Sequence, residues 1–382
     1  MLRLRIVGGH FCEQEMDSVS ARQRDAAARD RTSVGMFDLF KGIGMILVLW
    51  HHSEWPEFTG WAVSPGASLW NFVVVTCLMP MFFIVSGYGF RPVPLKKAVR
   101  QQSGLILRPY CYTGIATVVA CFVFGCLTLP GVRSVIDFCL SEVIGFLFAT
   151  QSGMLFGLKT GNPGPCWYLA ALFLDWCCLC LMYERKLKNW VIWVICAVMF
   201  LISSLIPENI PLCLESAFRM IVYLLIGYRM KKRGFLEELT GWKLAVFAAA
   251  TAVGAFFTLR SGVIDGAVPQ SAFGSLIALL VGFEVPAVSI LLIRLILFFN
   301  RFQNPVTNAV SYIGQNSLLY FCVHTVEYLA FPWWKLIGRF GGNQIRCYVL
   351  MFLLRFVMTT LCVLAIRNRE KILNALKSGI GK

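Results

Sequence analysis

Long apolar stretches alternate with short polar segments along almost the whole chain. About 20 mainly apolar residues cross a bilayer as a helix. Stretches of this kind occupy 37–53, 69–90, 104–127, 165–183, 189–206, 212–230, 242–259, 273–299, 311–330 and 345–366, with a shorter one at 135–150. The pattern predicts an all-α polytopic membrane protein, a bundle of about ten transmembrane helices. The stretch 135–150 is short and carries Asp137 and Glu142. It is predicted to be re-entrant, a helix at membrane depth that is buried in protein and does not cross. Pro286 lies in the middle of 273–299 and predicts one bent span, since proline removes a backbone donor. The division that follows is a polar tail 1–36, a membrane domain 37–366 and a basic tail 367–382. Residues 1–36 hold no apolar run of signal-peptide kind, and Met36, directly before the first span, is an alternative start.

Composition agrees. The 382 residues are 58% hydrophobic and 14% charged, against roughly 45–50% and 25% in soluble domains. The formal net charge is nevertheless +15. Nucleic-acid binding would gather this charge on one polar face with stacking aromatics. Here it sits in short segments between apolar stretches, so no nucleic-acid partner is expected. Lys and Arg favour the cytoplasmic side. Segments 91–103, 184–188, 229–243 and 367–382 are basic, whereas 54–68 and 207–211 have neither Lys nor Arg. Both termini are therefore expected to be cytoplasmic, in a cell-membrane protein surrounded by lipid. A full crossing at 135–150 would invert everything after it. The cysteines lie mostly in apolar runs and read as packing residues. Cys177 and Cys180 form a C-x-x-C with no second pair nearby, and read the same way.

Ionisable residues inside a span are expensive and mark functional positions. Asp38 and Lys41 are three apart and can pair on one face of the first span. His52 follows Lys41 by eleven residues, on the same face and about 16 Å further along. His51 points elsewhere. In the tenth span, Ser317, Tyr320, His324, Glu327 and Tyr328 recur at helical spacing as one polar stripe, and Glu327 can hydrogen-bond His324. Both histidines fall towards the outer side, where imidazole suits proton transfer near neutral pH. No H-x-x-x-H spacing accompanies them, and no metal is expected. Lys97, Arg100 and Arg108 flank the third span at the inner face, where they serve topology, anionic lipid or a phosphate ligand. A transporter or flippase could use the same polar stripes, and a non-catalytic scaffold would use none of them.

Six motifs occur in one order. They are Asp38-x-x-Lys41-Gly42-Ile43 with His52-Ser53, then Met79-Pro80-Met81-Phe82-Phe83-Ile84-Val85-Ser86-Gly87-Tyr88, then Lys97-x-x-Arg100 with Pro109-Tyr110. Next come Pro165-Cys166-Trp167-Tyr168-Leu169 with Leu172-Phe173, Leu225-Ile226-Gly227-Tyr228, and Ile313-Gly314-Gln315-Asn316-Ser317-Leu318 with Tyr320 and His324. From residue 36 to about 366 the chain resembles the acyltransferase-3 family of integral membrane acyltransferases, which includes O-acetyltransferases of bacterial surface polysaccharides. It departs at Leu105, where the family often has a second arginine. The resemblance implies an acetyl-CoA or other acyl-CoA co-substrate reaching the protein from the cytosol, with no tightly bound cofactor. Its phosphates would meet Lys97, Arg100 and Arg108. The acceptor would be a hydroxyl of a surface or lipid-linked glycan. His52 would be the general base, with His324 orienting the acceptor or stabilising charge. Ser86 and Trp167 would line the route, and Asp38, Lys41, Asn316, Ser317, Tyr320 and Glu327 would support it.

Overall fold

The computed structural model describes residues 34–53, 74, 77–150, 153–203, 206, 210–260, 272–337 and 344–369. The tail up to residue 33, the 54–68 loop, most of the 69–77 start of the second span, residues 207–209 and the end of the basic tail lie outside them. The helices in chain order are α1 (Asp38–His51), α2 (Leu78–Gly89), α3 (Leu95–Gln102), α4 (Arg108–Thr128) and α5 (Val132–Phe148). A two-strand hairpin, β1 (Met154–Leu155) and β2 (Leu158–Lys159), precedes α6 (Trp167–Glu184), α7 (Asn189–Ser203), α8 (Leu214–Arg233), α9 (Phe235–Glu238) and α10 (Gly241–Arg260). The remainder are α11 (Ala272–Phe299), α12 (Pro305–Gln315), α13 (Ser317–Ala330), α14 (Trp333–Ile337) and α15 (Gln344–Arg367). Among the described residues, four helical stretches are long and apolar enough to cross a membrane: Leu95–Thr128, Gly164–Glu184, Pro211–Arg233 and Arg346–Arg367. Shorter apolar helices accompany them, and the chain is a multi-pass membrane protein.

Two helix crossings organise the bundle, and glycines make both. A Cβ on Gly42 of α1 would fall on the Val310 carbonyl of α12, and one on Gly314 of α12 would fall on the Asp38 carbonyl of α1. Gly87 of α2 and Gly227 of α8 stand in the same relation to the carbonyls of Leu224 and Ile84. With no bulk between them the backbones touch, the usual device for holding helices together in lipid. These four glycines belong to four of the sequence motifs.

The basic segments gather at one end of the molecule. Leu95 donates its backbone N–H to Glu184 Oε2 (2.8 Å), joining the start of α3 to the end of α6. Arg229 donates to Asn189 (2.6 Å), and Tyr88 donates to Glu237 (3.1 Å). The Phe37 ring packs on Tyr88 at 5.1 Å, and Asn300 donates to the Met36 carbonyl (3.3 Å). The start of α1 therefore shares this end with segments 91–103, 184–188 and 229–243.

Helix α5 holds most of the stretch 135–150 and folds back along α4, from Val135 beside Gly125 to Phe146 beside Gly114. Tyr110 donates to the Phe146 carbonyl (2.6 Å), and Cys213 donates its N–H to that of Ala149 (3.2 Å). From Tyr110 the α3–α4 helix continues about 22 Å further towards the basic end. The chain leaves α5 there through the hairpin, and α6 completes the return. Helices α3 and α4 are one continuous rod joined by a π-helical turn, Ser103–Leu107.

The stretch 311–330, expected as one span, is two helices. The side chain of Asn304 accepts the N–H groups of Val306 and Thr307, and Thr307 returns a bond to Asn304, so a capping box starts α12 before the predicted boundary. Asn316 (φ −106°, ψ 16°) ends it and donates its side-chain amide to the Tyr312 carbonyl at 2.8 Å. The break lets α12 lie against α1 while α13 lies against α4 and α15. Across Pro286, by contrast, α11 continues as one helix, as expected.

Candidate active site

His52 and His324 meet. Their ring centroids are 5.1 Å apart, and the Tyr328 ring lies 4.9 Å from His52 and 6.0 Å from His324. His52 caps the C-terminus of α1, its N–H bonded to the Val48 carbonyl at 3.0 Å. Its Nδ1 is 2.9 Å from the Val48 carbonyl. A carbonyl only accepts, so Nδ1 carries the proton and Nε2 keeps its lone pair.

His324 is fully buried, at 0% exposure. Its Nδ1 is 2.6 Å from Glu327 Oε1. That carboxylate also accepts from Trp333 Nε1 (2.6 Å) and from Arg355 Nε (3.1 Å) and Nη2 (2.9 Å). A group that accepts from so many N–H donors is ionised, so the bond from His324 is an N–H donation. His324 Nε2 is buried and makes no hydrogen bond among the described residues. Arg355 Nη1 also donates to the His52 carbonyl. One guanidinium thus joins α1, α13 and α15.

A cavity of about 200 Å³ lies on the basic-end side of the pair. Its lining includes Lys41, Met45, Val48, Phe82, Leu172 and Phe321. Neither histidine lines it: Val48, whose carbonyl holds His52, and Phe321 each stand about one helical turn before a histidine, so the cavity stops about a turn short of the pair. Its polar groups are Lys41, Ser86, Ser317 and the Tyr168 hydroxyl, which lies 3.2 Å from Ser86 Oγ. At the other end it reaches Leu105 and Ile106 in the π-helical turn. Leu105 is 63% exposed, so the cavity approaches the outside there. Such turns often accompany functional sites.

The remaining sequence-derived residues divide. Asp38 pairs with Lys41 at 2.5 Å, as the spacing predicts. Tyr320 is buried and donates to Thr360 (3.5 Å), tying α13 to α15 below the histidines. Asn316 acts at the helix break. Trp167 is partly buried at the start of α6, beside the cavity residue Tyr168. The stripe on α13 is not uniform: Tyr320, His324 and Glu327 are buried, while Tyr328 is 40% exposed at the edge. Lys97, Arg100 and Arg108 are exposed and do not line the cavity. Arg108 shares an outward face with Leu105 and Tyr112, and the cation on the cavity is Lys41. Of the C-x-x-C, Cys180 is buried and Cys177 partly so, both as free thiols.

Sequence reasoning missed Arg355, Trp333 and Tyr168. Arg355 had a signal: it is the only charge between Arg346 and Arg367. Tyr168 lay inside the fourth motif without being singled out, and Trp333 had no signal, because its value depends on which helix faces it.

The acyltransferase domain of the acyltransferase-3 family matches residues 35–367, and the chain belongs to that family of membrane acyltransferases. No curated protein and no solved structure matches it.

Proposed function

We propose that the protein moves an acetyl or other short acyl group from cytosolic acyl-CoA to a hydroxyl of a surface or lipid-linked glycan. The observation that carries this reading is the cavity running from Lys41 and the π-helical turn to within about one helical turn of the two histidines. It would carry a thioester arm from the basic end most of the way to a base with a free lone pair. Lys97 and Arg100 stand on α3 on the basic-end side of Leu105, where the donor's phosphates would remain in water.

In this reading the basic end is cytoplasmic and the chain makes ten passes of a cell membrane, with α5 and α6 sharing one and α12 and α13 another. Both termini are then cytoplasmic. His52 Nε2 takes the proton of the acceptor hydroxyl as its oxygen attacks the thioester carbonyl carbon. The carbon–sulfur bond breaks, and the proton passes to the departing CoA sulfur. His324 Nε2, also a lone pair, accepts from the acceptor sugar and orients it. Asp38 holds Lys41, and the Ser86 and Tyr168 hydroxyls give the arm polar partners.

The test is label transfer from radioactive acetyl-CoA to glycan in vesicles holding the purified protein. Transfer by the wild type and its loss in His52→Ala, with folding retained, is the expected result. A transporter or flippase would transfer no label in either form. Mass spectrometry of surface glycans from cells with and without the protein would identify the acceptor by the missing acyl group.

A further inference from the structure

We propose that Arg355 is a positioning residue that sets both histidines at once, holding the end of α1 through the His52 carbonyl and the His324 ring through the Glu327 carboxylate. This inference rests on the acyl-transfer reading for its kinetic consequences, though not for its structural ones.

Arg355 is 3% exposed, in the middle of α15. A cation there is costly unless it is fully used. Its Nε and Nη2 donate to Glu327, and its Nη1 donates to the His52 carbonyl. The rings of Tyr328 and Trp333 flank its guanidinium carbon at 5.3 and 5.6 Å from their centroids. Only a planar fork with several fixed donors can serve this set of acceptors; a lysine ammonium is a single point.

Two consequences follow. His52 caps the C-terminus of α1: its own N–H still bonds the Val48 carbonyl (3.0 Å), but its carbonyl is one that the helix leaves without an intrahelical partner. The bond to its carbonyl, together with the ring's bond to Val48, fixes where Nε2 points. Arg355 also keeps Glu327 ionised. Without that charge the buried carboxylate would hold a proton and donate it to His324 Nδ1. The ring proton would then sit on Nε2, and His324 would lose the lone pair that faces the acceptor. Arg355 touches neither donor nor acceptor and acts through both rings.

The test compares wild type with Arg355→Lys, Arg355→Gln and the double variant Arg355→Gln/Glu327→Gln, purified in lipid nanodiscs. Acetyl transfer is measured against acetyl-CoA concentration, and ¹⁵N-histidine spectra report the tautomers. The chain has only four histidines, which makes those spectra assignable. Arg355→Lys should lower kcat about 100-fold, the cost of a misplacement of about 1 Å, with KM for acetyl-CoA nearly unchanged. The double variant removes both charges and should regain stability without regaining kcat. Arg355→Gln should move the His324 proton from Nδ1 to Nε2. Wild-type kcat in Arg355→Lys, or full activity in the double variant, would overturn the proposal. If the wild type transfers no acetyl group, the acyl-transfer reading fails by itself. The spectra then decide the role of Arg355: an unchanged His324 tautomer in Arg355→Gln would refute it.

Discussion

Replacing Gly87 or Gly227 with alanine should force α2 and α8 apart. Each new methyl would meet a facing backbone carbonyl, Leu224 for one and Ile84 for the other. A carbonyl held in a helix cannot swing aside as a side chain can, so the helices must separate. Overpacking of this kind costs about 1–3 kcal/mol per site. The separation that admits the first methyl also admits the second. The double variant should therefore fall short of the sum of the singles by about 0.5–3 kcal/mol. Gly227→Ala combined with Gly314→Ala concerns two different crossings and should add to within about 0.5 kcal/mol. Titration with SDS from mild-detergent micelles measures each cost. Labelling of Cys77, Cys166, Cys180, Cys196 and Cys213, all buried, reports unfolding through a thiol-reactive fluorophore. Simple additivity of Gly87→Ala and Gly227→Ala would refute direct backbone contact at that crossing.

His52→Gln should abolish acetyl transfer, whereas His324→Gln should leave a measurable residue; the opposite order in single-turnover assays would exchange their roles. Glu327→Gln leaves a buried arginine without its anion, which costs about 3–5 kcal/mol of stability, and it should lower kcat more than it raises KM. Met45→Trp or Leu172→Trp would fill the cavity and raise KM for acyl-CoA at least about tenfold, on the order of the 1.4 kcal/mol or more that lost contacts cost. Unchanged acyl-CoA kinetics in these two variants would show that the donor arm runs elsewhere. Tyr168→Phe removes one cavity hydroxyl and should raise KM for acyl-CoA with kcat held; a change confined to kcat would assign the hydroxyl to the chemistry instead.

Much of this arrangement was legible in the sequence. The apolar stretches give the membrane class, and the spacing of Asp38 and Lys41 gives their pair. The two histidines come together because each lies at a countable distance along its helix from the basic end. Other features were not legible. The start of α12 is set by a cap at Asn304, upstream of the apolar run, and its end by the Asn316 side chain on the Tyr312 carbonyl; hydropathy registers neither. The placement of Arg108 depends on the π-helical turn, which rotates everything after it relative to α3. The crossings made by Gly42, Gly87, Gly227 and Gly314 pair residues far apart in the chain. A single sequence names the four glycines but not which touches which. Arg355 stood out as a lone charge, but its partners come from α1 and α13, and periodicity within α15 cannot identify them.

The bond from Arg355 to the His52 carbonyl joins the first described helix to the last. As the chain is made and inserted, α1 enters long before α15. Until α15 arrives, His52 has its ring bond to Val48 but no tether on its carbonyl, and Glu327 lacks its counter-ion. A nascent or partly inserted chain would therefore already hold the cavity lining from α1 to α13 without an assembled base. The constellation of His52, His324, Glu327 and Arg355 is complete only once α15 has joined the bundle.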